Sequence, residues 1–132
     1  MNKRIKRAHK ETDIYFAISR YMKHKHPKVL WRFDFSAGVK MTIGQAKSHK
    51  GLNPHRGYPD LFICQPANGY AGLYIEIKKD GERTQRIDGT LYADQHLEEQ
   101  HAMLNHLNAI GYKAVFGIGL NQCIEIIDAY LK

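Results

Sequence analysis

The chain has 132 residues, 43% hydrophobic and 25% charged, which fits one globular domain over 1–132 with one core and argues against a chain disordered as a whole. No apolar run approaches the ~20 residues that cross a bilayer, and MNKRIKRAHK has no apolar stretch behind its charges, which excludes a membrane span and a secretory signal and points to the cytoplasm. The net charge of +7 is lopsided: residues 1–59 carry 14 Lys/Arg against three acids, residues 60–132 six against ten, so the first half would attract a polyanion.

In chain order, residues 1–8 read as a basic tail. Ile14, Tyr15, Ile18, Tyr21 and Met22 then recur at helical spacing, predicting a helix from about Ala8 to Lys25 that stops before Pro27. Glu11 shares its buried stripe, an unusual place for an acid. VLWRFDFS alternates Val29, Trp31, Phe33 and Phe35 against polar partners and reads as a half-buried strand. Residues 37–58 read as a long loop with four glycines, four Lys/Arg, two histidines and no acid.

Leu61–Gln65 and Gly72–Lys78, joined by the turn PANGYA, predict an antiparallel hairpin, and 80–91 a polar exposed connection carrying Arg83 and Arg86. A helix from about Ala93 to Ile110 places Leu97, Leu104 and Leu107 on one stripe together with Gln100, an amide that needs a partner. Gly111 reads as its C-cap, YKAVFGI as a fourth strand, and Asn121 as the N-cap of a last helix with Ile124, Ile127 and Leu131 inward. Cys64 and Cys123 lack metal or disulfide spacing and read as buried small apolar residues.

The chemistry concentrates in the hairpin. Alternation along YIEIKK sends Glu76 and Lys78 to one side of the strand, and the turn returns Asp60 of GYPDLFI to the same end. Two carboxylates at such range repel each other unless a hard divalent cation compensates them, so a Mg²⁺ or Mn²⁺ site with a lysine beside it is the economical reading. Singly, each residue has a plainer role: Asp60 as a strand cap, Glu76 with Lys78 as a surface ion pair, Gln100 bonded to backbone, Glu11 as a first-turn acid. Glu76 in the apolar run GLYIEI argues against the plain roles jointly, because an uncompensated carboxylate there is costly.

Pro59-Asp60, sixteen residues on to Glu76, then Glu76-Ile77-Lys78 on an α/β scaffold of order αβββαβ, resembles the PD-(D/E)XK nuclease superfamily. More narrowly, Gly57 to Leu61, Glu76 to Lys78, and Gln100 followed by Leu104, Leu107 and Gly111-Tyr112 resemble the VRR-NUC family of virus-type replication and repair nucleases. The resemblance implies a mixed sheet flanked by helices, a restriction-endonuclease-like core with an extra C-terminal helix. It implies Asp60, Glu76, the Ile77 carbonyl and Glu11 as metal ligands, Lys78 as the catalytic cation, and Gln100 as its support. The implied activity is metal-dependent endonuclease cleavage of branched DNA, such as a flap or Holliday junction, in phage or bacterial replication, recombination or repair, by a homodimer of the stand-alone form. The alternatives are a non-catalytic nucleic-acid-binding module on this fold, or a restriction-type endonuclease.

Lys40, Lys47, Lys50 and Arg56 lead into the carboxylate site and are expected to touch DNA phosphates. His96 and His101 are five apart, which turns the second away from the i, i+4 geometry of a zinc protease. GxxxxGK[ST] and GxSxG are both absent, so neither a nucleotide cofactor nor hydrolase-elbow chemistry is expected.

Overall fold

Residues 11–34 and 40–132 are described by a computed structural model; the expected basic tail and the end of the first strand, Phe35 and Ser36, lie outside the described residues. The elements run α1 (Glu11–Lys25), β1 (Trp31–Phe33), α2 (Ile43–Leu52), β2 (Leu61–Ile63), β3 (Leu73–Lys78), α3 (Gln95–Ala109), β4 (Lys113–Ile118) and α4 (Gly119–Tyr130). The four strands form one mixed sheet in the order β1-β2-β3-β4, antiparallel except for the parallel β3–β4 pair.

β3 is the organising strand, buried along all six residues because helices cover both of its faces. Leu73, Ile75 and Ile77 join Leu61 and Ile63 of β2 in a core with Ile14, Tyr15, Ile18 and Met22 of α1 and Cys123, Ile127 and Tyr130 of α4. Each fully buried isoleucine contributes about 1.5–3 kcal/mol. The intervening Tyr74 packs with Leu104 and Leu107 of α3, Ala114 of β4, and Phe62. Glu76 and Lys78 follow Tyr74 on that α3 side. The β2–β3 connection turns tightly at Asn68 (φ 53°) and Gly69 (φ 83°), residue types that accept the left-handed region, and Ala67 and Tyr70 close it with two backbone hydrogen bonds.

Three expectations are corrected. The segment 37–58 is not a continuous loop, since α2 occupies its middle. A capping box opens that helix: the Gln45 amide donates to Thr42 Oγ1 at 3.1 Å, and the Thr42 amide donates to Gln45 Oε1 at 3.0 Å. No α2 side chain is buried, so no apolar stripe announced it. Asn121 does not cap the last helix, which starts at Gly119, directly after β4. Gly119 (φ 78°) makes the abrupt turn possible, and the Ile118 amide donates to Gln122 Oε1 at 2.6 Å. The helix begins three residues earlier than an Asn121 cap would set it, and its buried face is Cys123, Ile127 and Tyr130; of the residues expected inward, Ile127 is buried and Ile124 and Leu131 are partly exposed. Finally, Cys123 is buried as expected but Cys64, just past the end of β2, is exposed; both are free thiols.

The predicted helices and strands otherwise form within a few residues of their expected limits. Asp94, not part of the sequence reading, caps α3 by accepting from the Leu97 amide at 2.8 Å. Arg83 and Arg86 are exposed as expected, with the Arg86 guanidinium 5.8 Å from the Tyr92 ring centroid. Among the described residues no helix is long and apolar enough to cross a membrane.

Candidate metal and phosphate site

Asp60 directly precedes β2, and the β2–β3 register sets Leu61 opposite Ile75, so Asp60 falls beside the C-terminal half of β3. Its Oδ2 accepts from the Ile77 amide at 2.8 Å, which locks the carboxylate across the strand end. Gly57 and Pro59 set this approach. Gly57 has φ +74° and lies so close to α3 that an added Cβ would stand 2.7 Å from the Glu99 carbonyl carbon, and Pro59 is fully buried.

Glu76 and Lys78 are 4% and 7% exposed, and Gln100 of α3 joins them. Its Nε2 donates to Glu76 Oε1 at 2.8 Å, while its Oε1 accepts from Lys78 Nζ at 2.7 Å. The amide thus bridges an acid and a base with its donor and acceptor each correctly used, which resolves the oddity of a polar residue on the α3 core face. His96, one turn earlier on α3, sets Nε2 3.2 Å from Gln100 Nε2. Glu76 Oε2 is buried and has no hydrogen-bond partner.

The electrostatics follow from crowding. Burial raises the Glu76 carboxyl, and the neighbouring Asp60 carboxylate raises it further. Burial also raises Asp60, against the lowering effect of hydrogen bonds from the Tyr15 hydroxyl and the Ile77 amide. Glu11, half-buried in the first turn of α1, is raised by burial and by the charges of Asp60 and Glu82, with Lys78 and Lys79 opposing. Tyr15, buried beside Asp60, is held firmly in its protonated form by burial and by that carboxylate.

An open cleft of about 990 Å³ leads to this point, with Asp60, Glu76 and Gln100 on its lining together with Arg32, His49 and His55. The four expected cationic contacts, Lys40, Lys47, Lys50 and Arg56, are all exposed, Lys47 and Lys50 on α2. Arg56 Nη1 stands 3.8 Å from Glu99 Oε1.

The structure therefore brings together Asp60, Glu76, Lys78 and Gln100, with the Ile77 amide, rather than its carbonyl, as the backbone group seen bonded to Asp60. Glu11 stands in the electrostatic field of Asp60, but among the described residues no three His, Cys, Asp or Glu side chains are grouped as a metal-ligand set. Sequence reasoning missed Tyr15, taken only as core, and His96, weighed only against His101. The i, i+4 spacing of His96 to Gln100 was the available signal for the second.

The donor set suits a hard cation. Two carboxylates crowd one buried spot, with one oxygen unpartnered, an arrangement that a Mg²⁺-like ion relieves and a soft-ligand metal does not favour.

No family model and no curated protein sequence matches the chain. A solved structure described as a "VRR_NUC domain protein" does, at a TM-score of 0.69 and 26% identity, over 94% of this chain and 89% of the other. A mixed four-stranded sheet between helices, with the PD and ExK residues meeting at the β2–β3 edge, has the PD-(D/E)XK-like architecture. In fold and in motif the chain is similar to the VRR-NUC family.

Proposed function

We propose that the chain is a Mg²⁺- or Mn²⁺-dependent nuclease that hydrolyses DNA phosphodiester bonds and favours branched substrates. The observation that carries this reading is the unpartnered Glu76 Oε2, buried beside Asp60 and aligned by Gln100. Asp60, Glu76 and the Ile77 carbonyl would hold the ion, and Glu11, whose carboxyl feels the Asp60 charge, would add charge or orient water. When bound, such an ion supplies Lewis acidity to the phosphate and acidity to water.

The remaining work falls to the chain's own groups. Lys78 Nζ, held at 2.7 Å from Gln100 Oε1, offsets negative charge growing on the phosphate; a compact ammonium suits that role. Gln100 keeps the lysine and Glu76 in fixed relation, so neither must reorganise as charge develops. Asp60 stays anchored through the Ile77 amide and the Tyr15 hydroxyl. Lys40, Lys47, Lys50 and Arg56 supply sequence-independent phosphate contacts along the approach. A two-fold dimer would present two such centres to the symmetric arms of a junction.

The test is cleavage of linear, flap and four-way DNA in Mg²⁺, Mn²⁺ or EDTA at several salt concentrations. Asp60→Ala and Glu76→Ala are each expected to lower cleavage by at least about a hundredfold while DNA binding survives. Normal cutting by either variant contradicts the proposal. A wild-type chain that binds but never cuts is a binding module, and one that cuts linear DNA at a fixed sequence is a restriction-type enzyme.

A further inference from the structure

One aromatic ring in the cleft is exposed in a way the core does not require, yet is held in place from several directions. Tyr58 is 44% exposed, lines the cleft and stands two residues from Asp60. Its hydroxyl meets that of Tyr74 at 2.8 Å, and the two rings pack edge to face with centroids 5.6 Å apart at 88°. Tyr74 is itself buried, stacked on Phe62 at 4.4 Å and set edge-on to Tyr112 at 5.2 Å. The backbone on either side is equally constrained, by Gly57 against the α3 main chain and by the buried Pro59. The ring therefore cannot swing away without breaking the hydroxyl bond.

We infer that Tyr58 is a stacking platform for one unpaired nucleobase beside the bond to be cut. The inference rests on the nuclease reading and deepens it, naming the state of the DNA that the cleft accepts. A pre-set ring loses little rotational freedom on binding, and any base offers it a π-face, so the contact is strong without reading sequence. A paired base is already stacked on its neighbours and has no free face to offer. Phe62 shares the cleft lining, giving an apolar surround for a base, while Arg32, His49 and His55 line it where the flanking phosphates would pass. The cleft volume of about 990 Å³ lies at the upper end of the roughly 300–1,000 Å³ range of small-ligand sites, room enough for a nucleotide unit.

The experiment measures binding of splayed-arm DNA in EDTA, so that cutting plays no part, with one abasic nucleotide moved stepwise through the unpaired arms. For the wild-type chain one position is expected to weaken binding about five- to a hundredfold, the range of base–aromatic stacking. Tyr58→Ala should show the same loss on intact DNA and no further loss at that abasic position, whereas Tyr58→Phe and Tyr58→Trp should keep the base dependence. A flat abasic scan with the wild-type chain overturns the inference whatever the variants do. So does a Tyr58→Ala loss that simply multiplies with the abasic loss. Cleavage in Mg²⁺ is read separately: cutting with a flat scan removes only the platform, and a base-dependent scan without cutting removes only the nuclease reading.

Discussion

Glu76 combines 4% exposure, a carboxylate neighbour and an oxygen with no partner, conditions under which its proton is hard to remove. Its pKa is pushed up to about 9, by burial first and by Asp60 next. Because the folded value lies above the unfolded one, the stability linked to Glu76 is fully present at acidic pH. It is lost progressively as pH rises from the ordinary carboxylate range toward about 9. In EDTA the melting temperature should therefore fall across this interval, and added Mg²⁺ should reduce the fall. Glu76→Gln keeps the shape and removes the titration. Its melting temperature in EDTA at pH 8 should exceed that of the wild type by at least about 3 °C, the shift that roughly 1 kcal/mol produces in a domain of this size. Scanning calorimetry between pH 5 and pH 9 measures both, and a wild-type melting temperature that rises steadily through that range contradicts the electrostatic picture.

At the scale of elements, the site exists because a short loop and a helix face meet β3 from two directions. Gly57 presses the loop against α3, and Gln100 reaches from α3 to both Glu76 and Lys78. Gly57→Ala must place a side chain in the left-handed region, at a cost of about 1–2 kcal/mol, and against the Glu99 backbone. We expect a lower melting temperature together with a loss of cleavage greater than the unfolded fraction explains, since Asp60 moves with the loop. A variant that melts and cuts like the wild type would show that this packing does not position the site.

These two meeting elements were also the most legible ones. Strand alternation aligned Glu76 with Lys78, the Asn68-Gly69 turn returned Asp60 to them, and helical spacing placed Gln100 on the core face of α3. What escaped had no local signal. α2 buries nothing, so its only mark is the Thr42–Gln45 box. The start of α4 depends on a backbone turn at Gly119 rather than on a capping side chain. Tyr15 looks like any core residue until the fold sets Asp60 against its hydroxyl, and Cys64 looks buried until β2 is seen to stop at Ile63.

Across the whole molecule, the charge asymmetry and the cleft coincide. The basic first half supplies Arg32, His49 and His55 to its lining, together with the acid Asp34, while Asp60 and Glu76, also on the lining, belong to the acidic half. A polyanion drawn by the basic half would meet these two carboxylates in the cleft, so the proposed cation is the element on which function turns. Isothermal titration of Mn²⁺ into the wild-type chain and into Asp60→Asn and Glu76→Gln tests that most directly. The account predicts saturable binding to the wild type, loss of that binding in both variants, and cleavage that rises with Mn²⁺ occupancy. Equal binding by the variants, or cleavage that persists in EDTA, would contradict it.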